Sequence, residues 1–168
     1  MTSAQLLADA FERIREPVHE AVEGLSPEDL AFRPDPAANT VAWLVWHLTR
    51  VQDDHVAKAA GVEQTWTAAK WSERFALPFD VADTGYGHGA AEVGAVTASS
   101  ELLAGYYDAT SEATLRFVRQ VTDADLERIV DERWDPPVTL GVRLVSVITD
   151  DLQHAGQASY LRGLLERR

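Results

Sequence analysis

The chain has 168 residues, 27 Asp and Glu against 15 Lys and Arg, a formal net charge of −12 and no cysteine. One domain of that length buries roughly two-thirds of the surface its unfolded chain exposes, so an apolar core suffices to fold it. The acidic balance, with no Lys/Arg block, disfavours nucleic acid and anionic membranes as partners, and the lack of cysteine excludes disulfides, Cys-ligated zinc and a cysteine nucleophile, so any thiol chemistry must use a thiol brought by a small molecule.

The opening "MTSAQLLADAFERIREPV" is amphipathic rather than a basic start followed by an apolar run, and no stretch approaches the ~20 apolar residues that span a bilayer. A cytoplasmic chain is expected. Leu6, Leu7, Ala10, Phe11, Ile14, Val18 and Val22 recur at three- and four-residue spacings and predict a helix over about 3–23, stopped at Gly24. The proline-interrupted "LAFRPDPAAN" then leads to Asn39 or Thr40, either of which can cap a second helix over about 40–60 with the stripe Val41, Leu44, Val45, Leu48, Val51 and Val56.

Residues 62–97 lack sustained periodicity, carry Trp66, Trp71, Phe75 and Phe79, and include the turn-rich "TGYGHG" at 84–89. A connection this long commonly forms a lid or pocket wall. A helical turn over Glu92 to Val96 precedes a third long helix, about 98–121, and the irregular "TDADLERIVDERWDPPVT" precedes a fourth, about 139–166. The expected fold is all-α: one domain over residues 1–168, a four-helix bundle with decorated loops between helices two and three and between three and four. Its exposed Leu and Trp positions suit a homodimer.

The fourth helix contains "TDDLQHAGQ", which sets Asp150, Asp151 and His154 among apolar positions. Asp150 and His154 are four residues apart, so they share a face and can address one atom beside the helix, whereas Asp151 points elsewhere. A third ligand can come from His47, on the buried stripe of helix two. Two imidazoles and a carboxylate suit zinc first, with nickel, iron or manganese also compatible, and leave positions open for water or substrate. Spacing alone leaves another reading open: a hydrogen-bonded core histidine, with an Asp–His ion pair at the edge of the stripe.

"WLVWHLTRVQDDHVA" and "DDLQHAGQASYLRG", with the "DTGYGH" and "ERWDPPVTLG" loops between them, resemble the DinB-like superfamily. The resemblance is to its branch related to mycothiol-dependent maleylpyruvate isomerase and to mycothiol or bacillithiol S-transferases. It implies a divalent metal held by His47, Asp150 and His154. Most superfamily members have histidine at the middle position and the isomerase branch has glutamate, so Asp150 departs from both. It also implies mycothiol as cosubstrate, with S-transfer to a small electrophile or thiol-assisted isomerisation as the reaction. A metal-activated water for hydrolysis and a non-catalytic metal- or ligand-binding stress-response bundle share the same ligands.

Around that triad, His88 is flanked by glycines that let a loop approach a ligand, and is expected as an acid or base. Tyr86 and Trp134 are expected to shape the pocket, and Arg143, with Arg162, to meet an anionic substrate group. His55 and Asp54 lie too far round or along helix two to share the ion with His47 and are expected in support, and His19 is expected on the flank of helix one.

Overall fold

The computed structural model describes residues 1–167. Helix α1 (Ser3–Val22) starts in a capping box: the Thr2 hydroxyl accepts from the Gln5 N–H, while the Gln5 side chain accepts from the Thr2 N–H. Leu7, Phe11, Ile14 and Val18 form its buried stripe. A single turn, α2 (Pro27–Leu30), precedes α3 (Val41–Ala60), whose cap is Thr40, with its hydroxyl accepting from the Trp43 N–H.

The connection after α3 contains more structure than its sequence suggests, with three short helices, α4 (Thr65–Ala68), α5 (Trp71–Phe75) and α6 (Ala90–Ala95). Helix α7 (Ser100–Val118) is shorter at both ends than its apolar pattern, because Ser99 caps it and Val121 reaches the core from outside the helix. Then come α8 (Asp123–Leu126) and a two-stranded antiparallel hairpin, β1 (Ile129–Asp131) with β2 (Val138–Thr139), which the all-α expectation did not include. The hairpin delivers the chain into α9 (Leu140–Leu165), capped by Thr139 and about 39 Å long.

The four long helices form the bundle: α1 and α3 occupy one diagonal, and each packs against both α7 and α9. Helix α3 is its central member, buried all round from Val41 to Arg50. No helix among the described residues is long and apolar enough to cross a membrane.

A polar knot pins the long connection onto α3. Fully buried Arg50 donates to the Asp83 carbonyl, the Gln64 side chain and the Tyr106 hydroxyl, and its guanidinium lies over the Trp66 ring. One turn on, the Asp53 carboxylate accepts from the Thr65 and Trp66 N–H groups and from Tyr106, which anchors the start of α4. Burying this charge is tolerable because Asp53 and Arg50 sit 3.8 Å apart and each makes further hydrogen bonds, although Arg50 Nη2 is left without a partner.

Candidate metal centre

His47 comes from the middle of α3, and Asp150 and His154 from successive turns of α9 where the two helices pack. One ligand atom from each of the three lies within 4.8 Å of the others. The site grades from inside to outside: His47 is buried, and the side chains of His154 and Asp150 are 18% and 35% exposed. The two imidazoles stand 4.9 Å apart edge to face, and His154 Nε2 is 3.6 Å from Asp150 Oδ1.

The hydrogen bonds fix which nitrogens face the site. His47 Nδ1 meets the Thr84 carbonyl, which can only accept, so Nδ1 carries the proton and Nε2 keeps its lone pair. His154 Nδ1 is paired with Gln157 Oε1 at 3.2 Å, which leaves its Nε2 for the site in the same way. Desolvation lowers the His47 pKa. The Thr84 carbonyl opposes that shift and the nearby His154 adds to it, so the ring is neutral near pH 7. Asp150 Oδ2 is buried without a hydrogen-bond partner. An orphaned carboxylate oxygen beside two outward lone pairs is a donor set without a donor to satisfy it, and a divalent cation meets that need.

Asp151 differs from its neighbour. It is fully buried in the bundle interior, neither oxygen has a partner, and burial pushes its carboxyl well above the usual range, with the Asp150 charge adding to the shift. Of the two adjacent carboxylates, Asp150 therefore belongs to the triad.

A shell of side chains holds His47 in place. The Trp43 ring, one turn earlier on α3, stacks on it at 4.5 Å and 14°, and meets His154 edge-on at 6.1 Å. Gly85, at φ +90°, lies so close that a Cβ there would come 2.8 Å from His47 Nδ1 and 3.0 Å from Trp46. The loop that brings Thr84 and Gly85 to this position is tied by Asp83, whose carboxylate accepts from the Gly85 N–H at 2.8 Å and from His88 Nε2 at 3.0 Å. Partial burial raises the Asp83 pKa, but these bonds outweigh it and hold the carboxyl below its ordinary value.

His88 was expected as an acid or base. Its side chain is 6% exposed, and both ring nitrogens are engaged: Trp43 Nε1–H donates to Nδ1 at 3.1 Å, and Nε2–H donates to Asp83. The ring also stacks on Trp46. It is a wedge between the loop and α3, with no nitrogen left to exchange a proton with a ligand.

The expected pocket residues are dispersed. Tyr86 is 93% exposed and Trp134 64% exposed, so neither forms a closed wall. Arg143 is paired with Asp131 at 3.0 Å, while Arg162 donates to the Glu20 and Glu23 carbonyls and pairs with Glu166, so both cations are already engaged. His55 lies 3.6 Å from Asp54, and Asp54 accepts from Gln64. His19 pairs with Asp108 across to α7. Sequence reasoning missed Trp43, Thr84, Gly85 and Gln157. Trp43 and Gln157 had a detectable signal, since each sits three or four positions from a proposed ligand on its own helix.

A family model described as Mycothiol-S-transferase matches residues 6–167. The chain is also similar to a conserved protein of Enterococcus faecalis of known crystal structure, at 31% identity and a TM-score of 0.92, covering 100% of this chain and 99% of that one. No curated protein matches it. The family match runs through all four bundle helices and both irregular connections rather than resting on one shared motif, and it makes the chain a member of the mycothiol S-transferase family, within the DinB-like group.

Proposed function

We propose that the protein is a metal-dependent S-transferase that joins a low-molecular-weight thiol, mycothiol by family, to a small electrophile in the cytoplasm, a detoxifying reaction. The observation that carries this reading is the convergence of His47, Asp150 and His154 within 4.8 Å, with Asp150 Oδ2 orphaned and both imidazoles presenting lone pairs. A divalent ion, zinc by preference of the donor set, would supply Lewis acidity that makes a thiol its thiolate near neutral pH.

The chain's own residues bind, orient and exclude water. Three protein donors leave the centre open to a further ligand, as catalytic rather than structural sites do. Thr84 and Gln157 set the tautomers of the two histidines, and the Trp43 ring covers the buried side. The Asp150 side chain, 35% exposed, marks the open edge of the centre, while His47 closes its inner side. In the overall reaction the thiol loses its proton, its sulfur forms a bond to the electrophilic carbon, and the leaving group departs with a proton. His88 serves as a positioning residue for the loop, and the absence of cysteine leaves the small-molecule thiol without a competing side chain.

The test is elemental analysis of protein purified without chelator, followed by electrophile consumption with mycothiol and other small thiols, with and without metal. About one divalent ion per chain and a metal-dependent conjugation rate are expected. Normal metal content without any thiol-dependent rate across a broad electrophile panel would instead favour hydrolysis or metal-dependent ligand sensing.

A further inference from the structure

The outer face of α9 carries no charge. Between Val142 and Tyr160, every residue that the helix exposes is apolar or neutral, including Val142, Val145, Thr149, Leu152, Gln153 and Tyr160. Four of these are large apolar side chains 46% to 65% exposed. The outer surfaces of α1 and α7, by contrast, are laced with ion pairs such as Arg13–Asp9 and Arg116–Glu112. In a chain of net charge −12, an uncharged strip about 27 Å long is a feature that solubility does not explain.

We propose that this face is where two copies of the chain meet, α9 against α9, antiparallel about a twofold axis near Asp151. Charge selects a second copy as the occupant. Two molecules of the same strong negative charge repel least where carboxylates are few, and this strip has only Asp150, on its edge, whereas a cationic partner would be drawn to the acidic surface elsewhere. The strip is also self-complementary, as a twofold contact requires. Val142 and Tyr160 each lie about nine positions, roughly 13 Å, from the helix midpoint, so Tyr160 of one copy lies over Val142 of the other. There it enters the groove lined by Gly141, Val142 and Val145, with Asp150 on its edge. The Thr149 hydroxyl faces the Gln153 amide across the axis, and Gly156, with open space around its Cβ position, lets the helices approach closely. A second groove, bordered by Tyr160 and Gly156, extends the contact onto Ala38 and Asn39. Asp150 lies on the edge of that groove, so the seam borders the candidate metal centre.

Light scattering on the full chain over a range of concentration and salt tests this. A species of twice 18.5 kDa is expected. It should tighten as salt rises, because screening relieves repulsion between two acidic copies while the seam itself has no charges to screen. Val145→Asp and Tyr160→Asp each place an unpaired carboxylate in the apolar seam and should weaken association by at least about a hundredfold, with the helical circular dichroism unchanged. The cysteine-free background allows a direct geometric check: Leu152→Cys, close to the axis, should oxidise to a covalent dimer, while Val62→Cys, 63% exposed in the connection just after α3, should not. A chain that stays monomeric at every concentration overturns the proposal. So does a dimer that loosens with salt, or one that survives both Asp substitutions and does not cross-link at position 152.

Discussion

The Nδ1–H of His47 donates to the backbone carbonyl of Thr84, and this bond holds an imidazole on a buried helix in the orientation that a metal ligand needs. It holds the ring in one tautomer with Nε2 toward Asp150 and His154. The carbonyl is held in turn by a chain of contacts that starts at Arg50, which takes the preceding carbonyl of Asp83, and includes the Asp83 carboxylate bound to Gly85 and His88. The candidate metal centre is thus coupled to the long connection between α3 and α7 through the backbone.

Gly85→Ala tests that coupling. A Cβ at position 85 would come within 2.8 Å of His47 Nδ1, while at Gly87, which has a similar positive φ of 81°, it meets nothing within 4 Å. Both substitutions carry the backbone strain of a left-handed residue, roughly 1 kcal/mol. Only the first displaces the ligand. Metal affinity measured by competition with a chelator should fall about 10- to 100-fold for Gly85→Ala, the range for lost orientation of a ligating histidine, and stay near wild type for Gly87→Ala. Equal affinities would show that the loop does not orient His47.

What the sequence revealed, and what it concealed, follows from the kind of group involved. The long helices were legible because apolar positions recur over five or more turns and a hydroxyl residue caps each of the four: Thr2, Thr40, Ser99 and Thr139 each accept from the helix they open. That Asp150 and His154 share one face of the helix was legible from a four-residue spacing, and with His47 their ligand atoms lie within 4.8 Å of one another. The Thr84 carbonyl was not, since a backbone group has no letter in the sequence. Helices α4 and α5, four and five residues long, are too short to show a period. Arg50 and Asp53 read as an ordinary polar flank on α3, because nothing local says that the following connection folds back to bury them. Tyr86, Trp134 and His88 were read as pocket residues from loop composition, which does not reveal where a loop side chain points. Two of them stand in solvent, and the third is wedged against Trp46.

Adjacent carboxylates on α9 have opposite environments, and their substitution should separate binding from folding. Asp150→Asn removes the one charged donor of the triad and should weaken metal uptake by well over tenfold while the fold persists. Asp151→Asn, at a position whose oxygens touch no partner and face the bundle interior, should leave metal content at wild type. Metal content by elemental analysis, read beside a denaturation curve, checks both. Equal losses of metal from the two variants would remove Asp150 from its assigned place.

Asp53→Ala should destabilise the protein by about 3–5 kcal/mol, because it leaves Arg50 as a buried charge without its counter-ion. It also strips the Thr65 and Trp66 N–H groups of their acceptor. Since the same knot holds the connection that presents Thr84, metal affinity should fall together with stability. Chemical denaturation with and without added metal measures the two effects. A variant that loses stability yet retains full metal affinity would separate the knot from the site.

The hairpin before α9 supplies a pH signature away from the metal ligands. Asp131 accepts from Arg133 and from Arg143 of α9, and the hydrogen bonds from Arg133, with the charges of both arginines, hold its carboxyl well below the ordinary value of 3.8. A carboxylate with a folded pKa below its unfolded one binds fewer protons when folded. Its contribution to stability is therefore complete above about pH 4 and is lost as pH falls through the folded value. Asp131→Asn removes the contribution at every pH, so the variant should be less stable than wild type at pH 7, and the two denaturation midpoints should converge in strong acid. Arg143→Gln removes one partner and should reproduce part of the difference at pH 7, with the same convergence. A constant gap between wild type and Asp131→Asn from neutral pH into strong acid would show that position 131 acts through packing and not through its charge.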